Sequence, residues 1–216
     1  MDEHTIRKEI CAIGQRLYAA RLINGVFGNI SFRLEKNVIL ATPTMVHKGF
    51  MQPDDIVIID TEGTPKNKHE RVTSEIKMHL EIYRLRDDVK AVVHAHPPHV
   101  TAFSLTGSKE SRLPRYILPE IEILFGEIPI AGYATSGTFE VVDALKPHIP
   151  SGNAIIMAHH GAVTMGATLE EACNAMETLE HFCEVLHIVG YPRRTPHPLT
   201  REQVSKLPAK KSSKTV

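Results

Sequence analysis

His94 and His96 end a short apolar run, Ala91-Val92-Val93, and are followed by Pro97-Pro98-His99. In a strand, side chains two apart share a face. Both imidazoles can therefore converge on one metal ion while Ala95 turns away. The prolines cannot continue a sheet ladder, which predicts that the strand stops where the imidazoles are presented. A second apolar run, Ala154-Ile155-Ile156-Met157-Ala158, leads directly into His159-His160-Gly161. His94, His96 and one of His159 or His160 would supply three neutral nitrogen donors, the usual protein share of a catalytic zinc site with one position left for substrate. Neighbours on a strand face opposite ways, so one of the pair is expected at the metal and the other as a structural hydrogen-bonding group. His99 could orient a ligand or stand at the surface.

Glu75 follows Thr73-Ser74 at the mouth of an expected helix. Alone it would be an acidic first-turn residue favoured by the helix dipole. Beside it stand other candidate anion-binding elements: Gly28-Asn29, Thr44 and the first-turn amides. Helix N-termini bind anions because their N–H groups lack partners, and a glycine turn lets an anion approach the backbone closely. Neither GxxxxGK[ST] nor GxGxxG occurs, so a nucleotide is not indicated.

The elements that must position these groups follow from periodicity. Ile6, Ile10, Ile13 and Leu17 mark one face of an amphipathic helix. Ile30, Phe32 and Leu34 alternate with polar residues as a half-buried strand does, and after a turn at Glu35-Lys36-Asn37, Val38–Ala41 reads as the return strand of a hairpin. Ile56–Ile59 is a third strand, and Thr64–Arg71 a polar loop. Ser74 is the expected N-cap of a helix carrying Ile76, Leu80 and Tyr83. Val92-Val93 forms the histidine-bearing strand, Ser104–Leu113 a loop, Ile128–Ile130 an extended segment and Thr138–Leu145 a short helix. The last helix starts with Thr168 and Glu171 as a capping box. It buries Leu169, Ala172, Met176, Leu179, Cys183 and Leu186 and ends at Gly190. No repeated βαβ period appears, which predicts an α/β protein with a mixed, largely antiparallel sheet flanked by helices.

The chain has 216 residues, enough for one domain with a sizeable core, and 25 basic against 25 acidic residues, so neither nucleic acid nor an acidic surface is indicated as partner. Cys11, Cys173 and Cys183 lack CxxC spacing and read as free thiols, which favours a reducing compartment. No leader and no membrane-length apolar stretch is apparent, so a soluble cytoplasmic protein without membrane contact is expected. Residues 1–195 read as the catalytic domain. Residues 196–216 read as a polar, lysine-rich tail, with Lys206–Val216 expected to be disordered.

Six segments stand together in order and spacing: Gly28-Asn29-Ile30-Ser31, Thr42-Pro43-Thr44, Thr73-Ser74-Glu75, Val92-Val93-His94-Ala95-His96, Tyr133-Ala134-Thr135-Ser136-Gly137-Thr138 and His159-His160-Gly161. From about Ile6 to Gly190 the sequence resembles the class II aldolase/adducin family, which includes L-fuculose-1-phosphate aldolases and L-ribulose-5-phosphate 4-epimerases. The resemblance implies a single-domain α/β/α sandwich and a zinc-dependent lyase. It further implies a homotetramer with active sites at subunit interfaces and a small phosphorylated sugar as substrate. It marks His94, His96 and His160 as zinc ligands, and Glu75 as a ligand of the resting metal and acid/base. Gly28, Asn29, Thr44, Thr73 and Ser74 fall on phosphate-binding positions. The reaction implied is cleavage of a ketose phosphate to dihydroxyacetone phosphate and an aldehyde through a metal-stabilised enediolate. Alternatives are a 4-epimerase, decarboxylase or dehydratase of the same family, or a non-catalytic adducin-like module. Glutamate at 75, where the epimerases tend to carry aspartate, favours the aldolase.

Three positions depart from the family pattern. Met45 stands in the phosphate site where fuculose-phosphate aldolases have glycine, so one backbone contact is expected to differ. The proton-donating tyrosine of those aldolases has no secure counterpart, with Tyr116 nearby and Leu118 at the aligned position. The tail after Pro208 lacks the C-terminal tyrosine that some members supply across the interface.

Overall fold

Ile6, Ile10, Ile13 and Leu17 are all buried on one face of the first helix, α1 (Glu3–Ala19), as their spacing predicts. Asp2 caps it by accepting the Thr5 N–H at 3.0 Å. In the computed structural model, which describes residues 2–67, 69–105 and 112–208, the hairpin follows as β1 (Asn29–Glu35) and β2 (Val38–Ala41), paired antiparallel. The next elements are β3 (Val57–Ile59), α2 (Ile76–Leu85), β4 (Ala91–Ala95), α3 (Pro98–Leu105), α4 (Pro119–Leu124) and β5 (Ile130–Ala131). The described chain ends with α5 (Phe139–Leu145), β6 (Ala154–Met157), β7 (Gly161–Gly166), α6 (Leu169–Val189) and α7 (Arg201–Ser205).

The strands form one sheet in the order β3-β2-β1-β4-β7-β6-β5. Every neighbouring pair is antiparallel except β5 with β6, the mixed, largely antiparallel sheet that the sequence implies. Successive residues point to opposite faces, and both faces are covered. Ala91, Val93 and Ala95 of β4 pack in a core with α1, α3 and α6, whereas Val92 joins the core beneath α2 and α5. The result is an α/β/α sandwich, and His94 emerges on its α2 face.

Several local expectations change. Ser74 does not cap α2: Glu75 holds the cap position without a side-chain cap. The turn closes on the Thr73 carbonyl, which accepts from Ile76 N–H at 3.3 Å, and this leaves Ser74 exposed. Half of the capping box at α6 forms, with Thr168 accepting the Glu171 N–H at 3.1 Å. The Glu171 carboxylate reaches one residue further back, to Ala167 N–H at 2.8 Å. The expected loop from Ser104 begins inside α3, and residues 106–111 lie outside the description. β7, α3, α4 and α7 were not foreseen, and α7 falls within the segment read as tail. Of the stretch expected to be disordered, only Lys206, Leu207 and Pro208 are described. Cys11 is half-buried and Cys173 and Cys183 are buried, all as free thiols. No helix among the described residues is long and apolar enough to cross a membrane.

His159 and His160 lie between β6 and β7, in the turn that joins them, rather than on a strand. His159 takes a left-handed conformation, φ 58°, and His160 N–H returns to the Met157 carbonyl at 3.1 Å. At Gly161 the next strand passes so close to β4 that an added Cβ would run into the Ala95 carbonyl and sit 3.1 Å from the His96 Cα. Gly161→Ala should therefore push β7 off β4 and move His96, lowering the unfolding free energy by roughly 1–3 kcal/mol. An unchanged denaturation midpoint, with metal content also unchanged, would contradict this packing.

Candidate active site

The end of β4 carries the site. β4 lies between β1 and β7, paired through His94↔Asn29 and His94↔Val163, so the His94 backbone is fixed from both sides. His94 is fully buried, and its Nδ1 lies 2.9 Å from the Ala162 carbonyl oxygen. A carbonyl only accepts, so Nδ1 carries the hydrogen and Nε2 turns its lone pair inward. His96, two residues on, brings its Nε2 to 3.0 Å from that of His94. His160 enters from the β6–β7 turn, and its ring meets both others edge-on at centroid separations of 4.8 and 4.7 Å. The ligating atoms of the three histidines lie within 4.8 Å of one another.

Glu75 closes the group. Its Oε2 is 3.2 Å from His94 Nε2 and accepts from Asn29 Nδ2 at 2.9 Å. Its Oε1, 3.3 Å from His160 Nε2, is buried without a hydrogen bond. Burial pushes the Glu75 carboxyl upward, but His94, His160 and Asn29 outweigh it and hold the group well below the usual carboxylate range. Burial pushes the His96 imidazole down to about 3 and that of His160 down to about 4, with His94 adding to both. Burial also acts downward on His94, where the Glu75 charge overcomes it and the net shift is upward. Inward lone pairs packed at 3.0 Å, an ionised carboxylate and an orphaned buried oxygen together call for a cation. Tetrahedral zinc–nitrogen bonds of 2.0–2.1 Å would put ligand nitrogens about 3.3 Å apart. The donor set fits a divalent metal.

A cavity of about 420 Å³ opens onto this group. Gly28, Asn29, Thr44, Met45, Thr73, Ser74, Glu75, His96 and His160 all line it, so residues from five separate stretches of chain meet there. Gly28 sits at φ +73°, and an added Cβ would lie 2.9 Å from the His94 carbonyl oxygen, so this turn needs glycine. Met45 adopts φ 57° and is 75% exposed, keeping the left-handed turn that glycine would take more cheaply. The hydroxyl of Thr73 accepts the Glu75 N–H at 3.4 Å.

Two expectations about histidines change. His159 is not a buried hydrogen-bonding group. Its left-handed backbone turns the ring outward, where it meets Tyr133 at a centroid distance of 6.0 Å. His99 is no orienting partner of the metal group: its Nδ1 lies 2.9 Å from a Glu180 oxygen on α6.

Sequence reasoning missed Lys48 and Ser136. Lys48 is 2% exposed and lines the cavity. Its ammonium donates to the Val46 and Val26 carbonyls at 2.6 and 3.1 Å, which ties together the two loops carrying Thr44-Met45 and Gly28-Asn29. Burial pushes Lys48 down to about 8. Ser136 Oγ lies 3.2 Å from His160 Nδ1. The resemblance had flagged its segment, but nothing local in Thr135-Ser136-Gly137 announces a contact with a histidine 24 residues away.

Residues 8–187 match the family Class II Aldolase and Adducin N-terminal domain. The L-fuculose phosphate aldolase of Methanococcus vannielii is 37% identical over 182 residues, covering 84% of this chain and 96% of that protein. The 3-oxo-tetronate 4-phosphate decarboxylase of Escherichia coli is 30% identical over 189 residues, covering 87% and 89%. Among solved structures, YgbL of Klebsiella pneumoniae, described as a candidate aldolase/epimerase/decarboxylase, superimposes with a TM-score of 0.89 at 29% identity, covering 96% of this chain and 100% of that one.

Fold and side-chain cluster together define a carbon–carbon lyase of the divalent-metal type. The chain belongs to the class II aldolase/adducin family.

If His160 is a ligand and His159 is not, His160→Ala should strip metal from the purified protein during dialysis, while His159→Ala keeps it. Metal analysis of the two variants side by side checks this, and equal retention would sink the assignment.

Proposed function

We propose that the protein is a zinc-dependent aldolase cleaving a small ketose phosphate, of the fuculose-1-phosphate kind, to dihydroxyacetone phosphate and an aldehyde. One observation carries the reading: the anion cradle and the histidine cluster open onto a single cavity, with Glu75 lining it beside both. The match to the Methanococcus vannielii aldolase supports it, as does glutamate at 75. We take residues 1–195 as the catalytic unit.

His94, His96 and His160 would hold the zinc, with Glu75 as a further ligand at rest, and the ion would supply Lewis-acid polarisation of the substrate's oxygens. The substrate's phosphate would lie against the Gly28-Asn29 turn, Thr44, Met45, Thr73 and Ser74, where the uncapped start of α2 and short hydroxyls favour an anion. In the cleavage the β-hydroxyl loses its proton and the adjoining carbon–carbon bond breaks as the aldehyde forms. The electron pair becomes an enediolate, and a proton returned to carbon completes dihydroxyacetone phosphate. Glu75, which lines the cavity, would carry that proton.

No tyrosine among the described residues lines the cavity. Tyr116 is tied elsewhere, with the Arg115 guanidinium 4.5 Å over its ring, and Leu118 caps α4. A phenolic donor would have to cross a subunit boundary. Exposed apolar side chains at the cavity, Phe27 and Met45 at 61% and 75%, suit a homotetramer with the site at its interface. A second reading, a phosphorylated 3-oxo acid decarboxylase, is favoured by the Escherichia coli relative. The leaving fragment separates the two, aldehyde in one and carbon dioxide in the other.

Glu75→Gln should cost roughly 10²–10⁴ in turnover with the metal still bound; near-wild-type turnover would reduce Glu75 to a helix-start carboxylate.

Inorganic phosphate should compete with substrate, and phosphoglycolohydroxamate should do so far more tightly because it also mimics the enediolate and chelates the metal. Ser74→Asp should raise KM strongly by placing a negative charge beside the incoming anion, without loss of metal. Equal turnover of an unphosphorylated analogue, with no inhibition by phosphate, would overturn the phosphate reading.

A further inference from the structure

Behind Glu75 runs a buried chain of side chains that the proposed chemistry does not use. Asn29 Nδ2 lies 2.9 Å from Glu75 Oε2. Asn29 Oδ1 lies 2.6 Å from His79 Nε2. Ser31 Oγ lies 2.7 Å from His79 Nδ1 and 2.7 Å from the Tyr83 hydroxyl. His79 and Ser31 are fully buried, and Asn29 and Tyr83 are 3% exposed. The contact arises because two periods match. Glu75, His79 and Tyr83 recur every four residues along α2, a rise of about 6 Å. Asn29 and Ser31 recur every two along β1, about 6.6 Å.

The donors in this chain have one consistent assignment. Glu75 is ionised and can only accept, so Asn29 must present its NH₂ to it and its carbonyl oxygen to His79. His79 must then donate from Nε2, and being neutral in an apolar interior it must accept at Nδ1. Ser31 therefore donates to His79 and accepts from Tyr83. Every donor points toward the site. The opposite tautomer would turn the Asn29 carbonyl oxygen onto the Glu75 carboxylate, two acceptors in contact. Asn29 Nδ2 retains a second hydrogen, and Asn29 lines the cavity.

We propose that His79, held as the neutral Nε2–H tautomer by Ser31 and Tyr83, is a positioning residue. It locks the Asn29 carboxamide so that one N–H anchors Glu75 and the other is offered to an oxygen of the bound substrate. This deepens the proposed aldolase reading without depending on which carbon–carbon bond is cleaved. Burial holds the His79 imidazole down at about 3, which keeps it neutral across the working pH range.

The test has two arms. In the full-length protein with its metal bound, long-range ¹H–¹⁵N spectra of labelled histidine should show His79 protonated at Nε2 only and silent to titration between pH 5.5 and about 9. A hydrogen on Nδ1, or a titrating ring, overturns the proposal. In the second arm, His79→Leu should lower kcat about 10- to 100-fold while metal content stays close to wild type and the variant remains folded at the assay temperature. His79→Gln, which can still donate to Asn29, should recover most of the loss. A leucine variant within twofold of wild type in both kcat and KM overturns it, as does a glutamine variant no better than leucine. If neither variant folds, the tautomer decides alone. The spectrum needs no substrate, and turnover is compared on whichever cleavage wild type performs. Failure of the phosphate reading would therefore leave this result standing.

Discussion

Four groups that water would solvate well are held within 3.3 Å of a neighbour at the buried end of β4: three imidazoles and one carboxylate. Such crowding is unfavourable unless a cation shares the space or the surrounding scaffold is rigid enough to enforce it. Here the scaffold is the sheet itself. His94 is paired on both sides, its ring nitrogen is fixed by the Ala162 carbonyl, and Gly161 lets β7 approach so closely that no side chain fits between. The rest of the structure follows from keeping that end of β4 in place, from the α6 packing on one face to the polar contacts of α2 on the other.

The two faces of β4 do different work. Ala91, Val93 and Ala95 face the larger core, where α1, α3 and α6 bury apolar side chains and each fully buried leucine or isoleucine stabilises by roughly 1.5–3 kcal/mol. Val92 and His94 face α2, and there the apolar core gives way, toward the site, to the Tyr83–Ser31–His79–Asn29–Glu75 chain. A fully satisfied buried polar chain specifies one geometry, because any slip leaves a donor or acceptor unpaired at a cost of about 1–3 kcal/mol. The apolar face thus supplies stability, and the polar face fixes where the carboxylate stands.

What the sequence disclosed was what lies close together in it. The His94-x-His96 pair, the α1 stripe, the β1–β2 hairpin and the Thr168 and Gly190 boundaries of α6 each rest on spacings of a few residues, and each stands where expected. Pro97-Pro98 does stop β4, but Pro98 also opens α3, and Pro119 opens α4. At the first helical position the missing N–H costs nothing and the fixed φ helps. β7 was missed because it is buried on both faces and so shows no alternation. His159 departs from the expectation because it stands in a turn, where the alternation of a strand does not hold. Lys48 and the His79 chain were out of reach for another reason. Their partners lie 22 and 50 residues away in sequence, and only the folded sheet brings the periods of α2 and β1 into step.

The same reasoning explains why relatives of similar identity are an aldolase and a decarboxylase. Retro-aldol cleavage of a ketose 1-phosphate leaves a three-carbon enediolate phosphate. Loss of carbon dioxide from a 3-oxo acid bearing a 2-hydroxyl and a 4-phosphate leaves the same species. On the proposed reading, a cavity that combines an anion cradle, a three-histidine donor set and a fixed carboxylate would be complementary to that shared fragment, whichever group departs. Discrimination must then come from what meets the departing group, and the buried groups at the end of β4 have no freedom to vary for that purpose. The exposed residues at the cavity do: Met45 in its left-handed turn, Phe27 beside His96, and Ser136 beside His160. The fold thus separates its tasks by burial, with the donor cluster enclosed and the choice of substrate left, on the proposed reading, to the exposed side chains at the cavity.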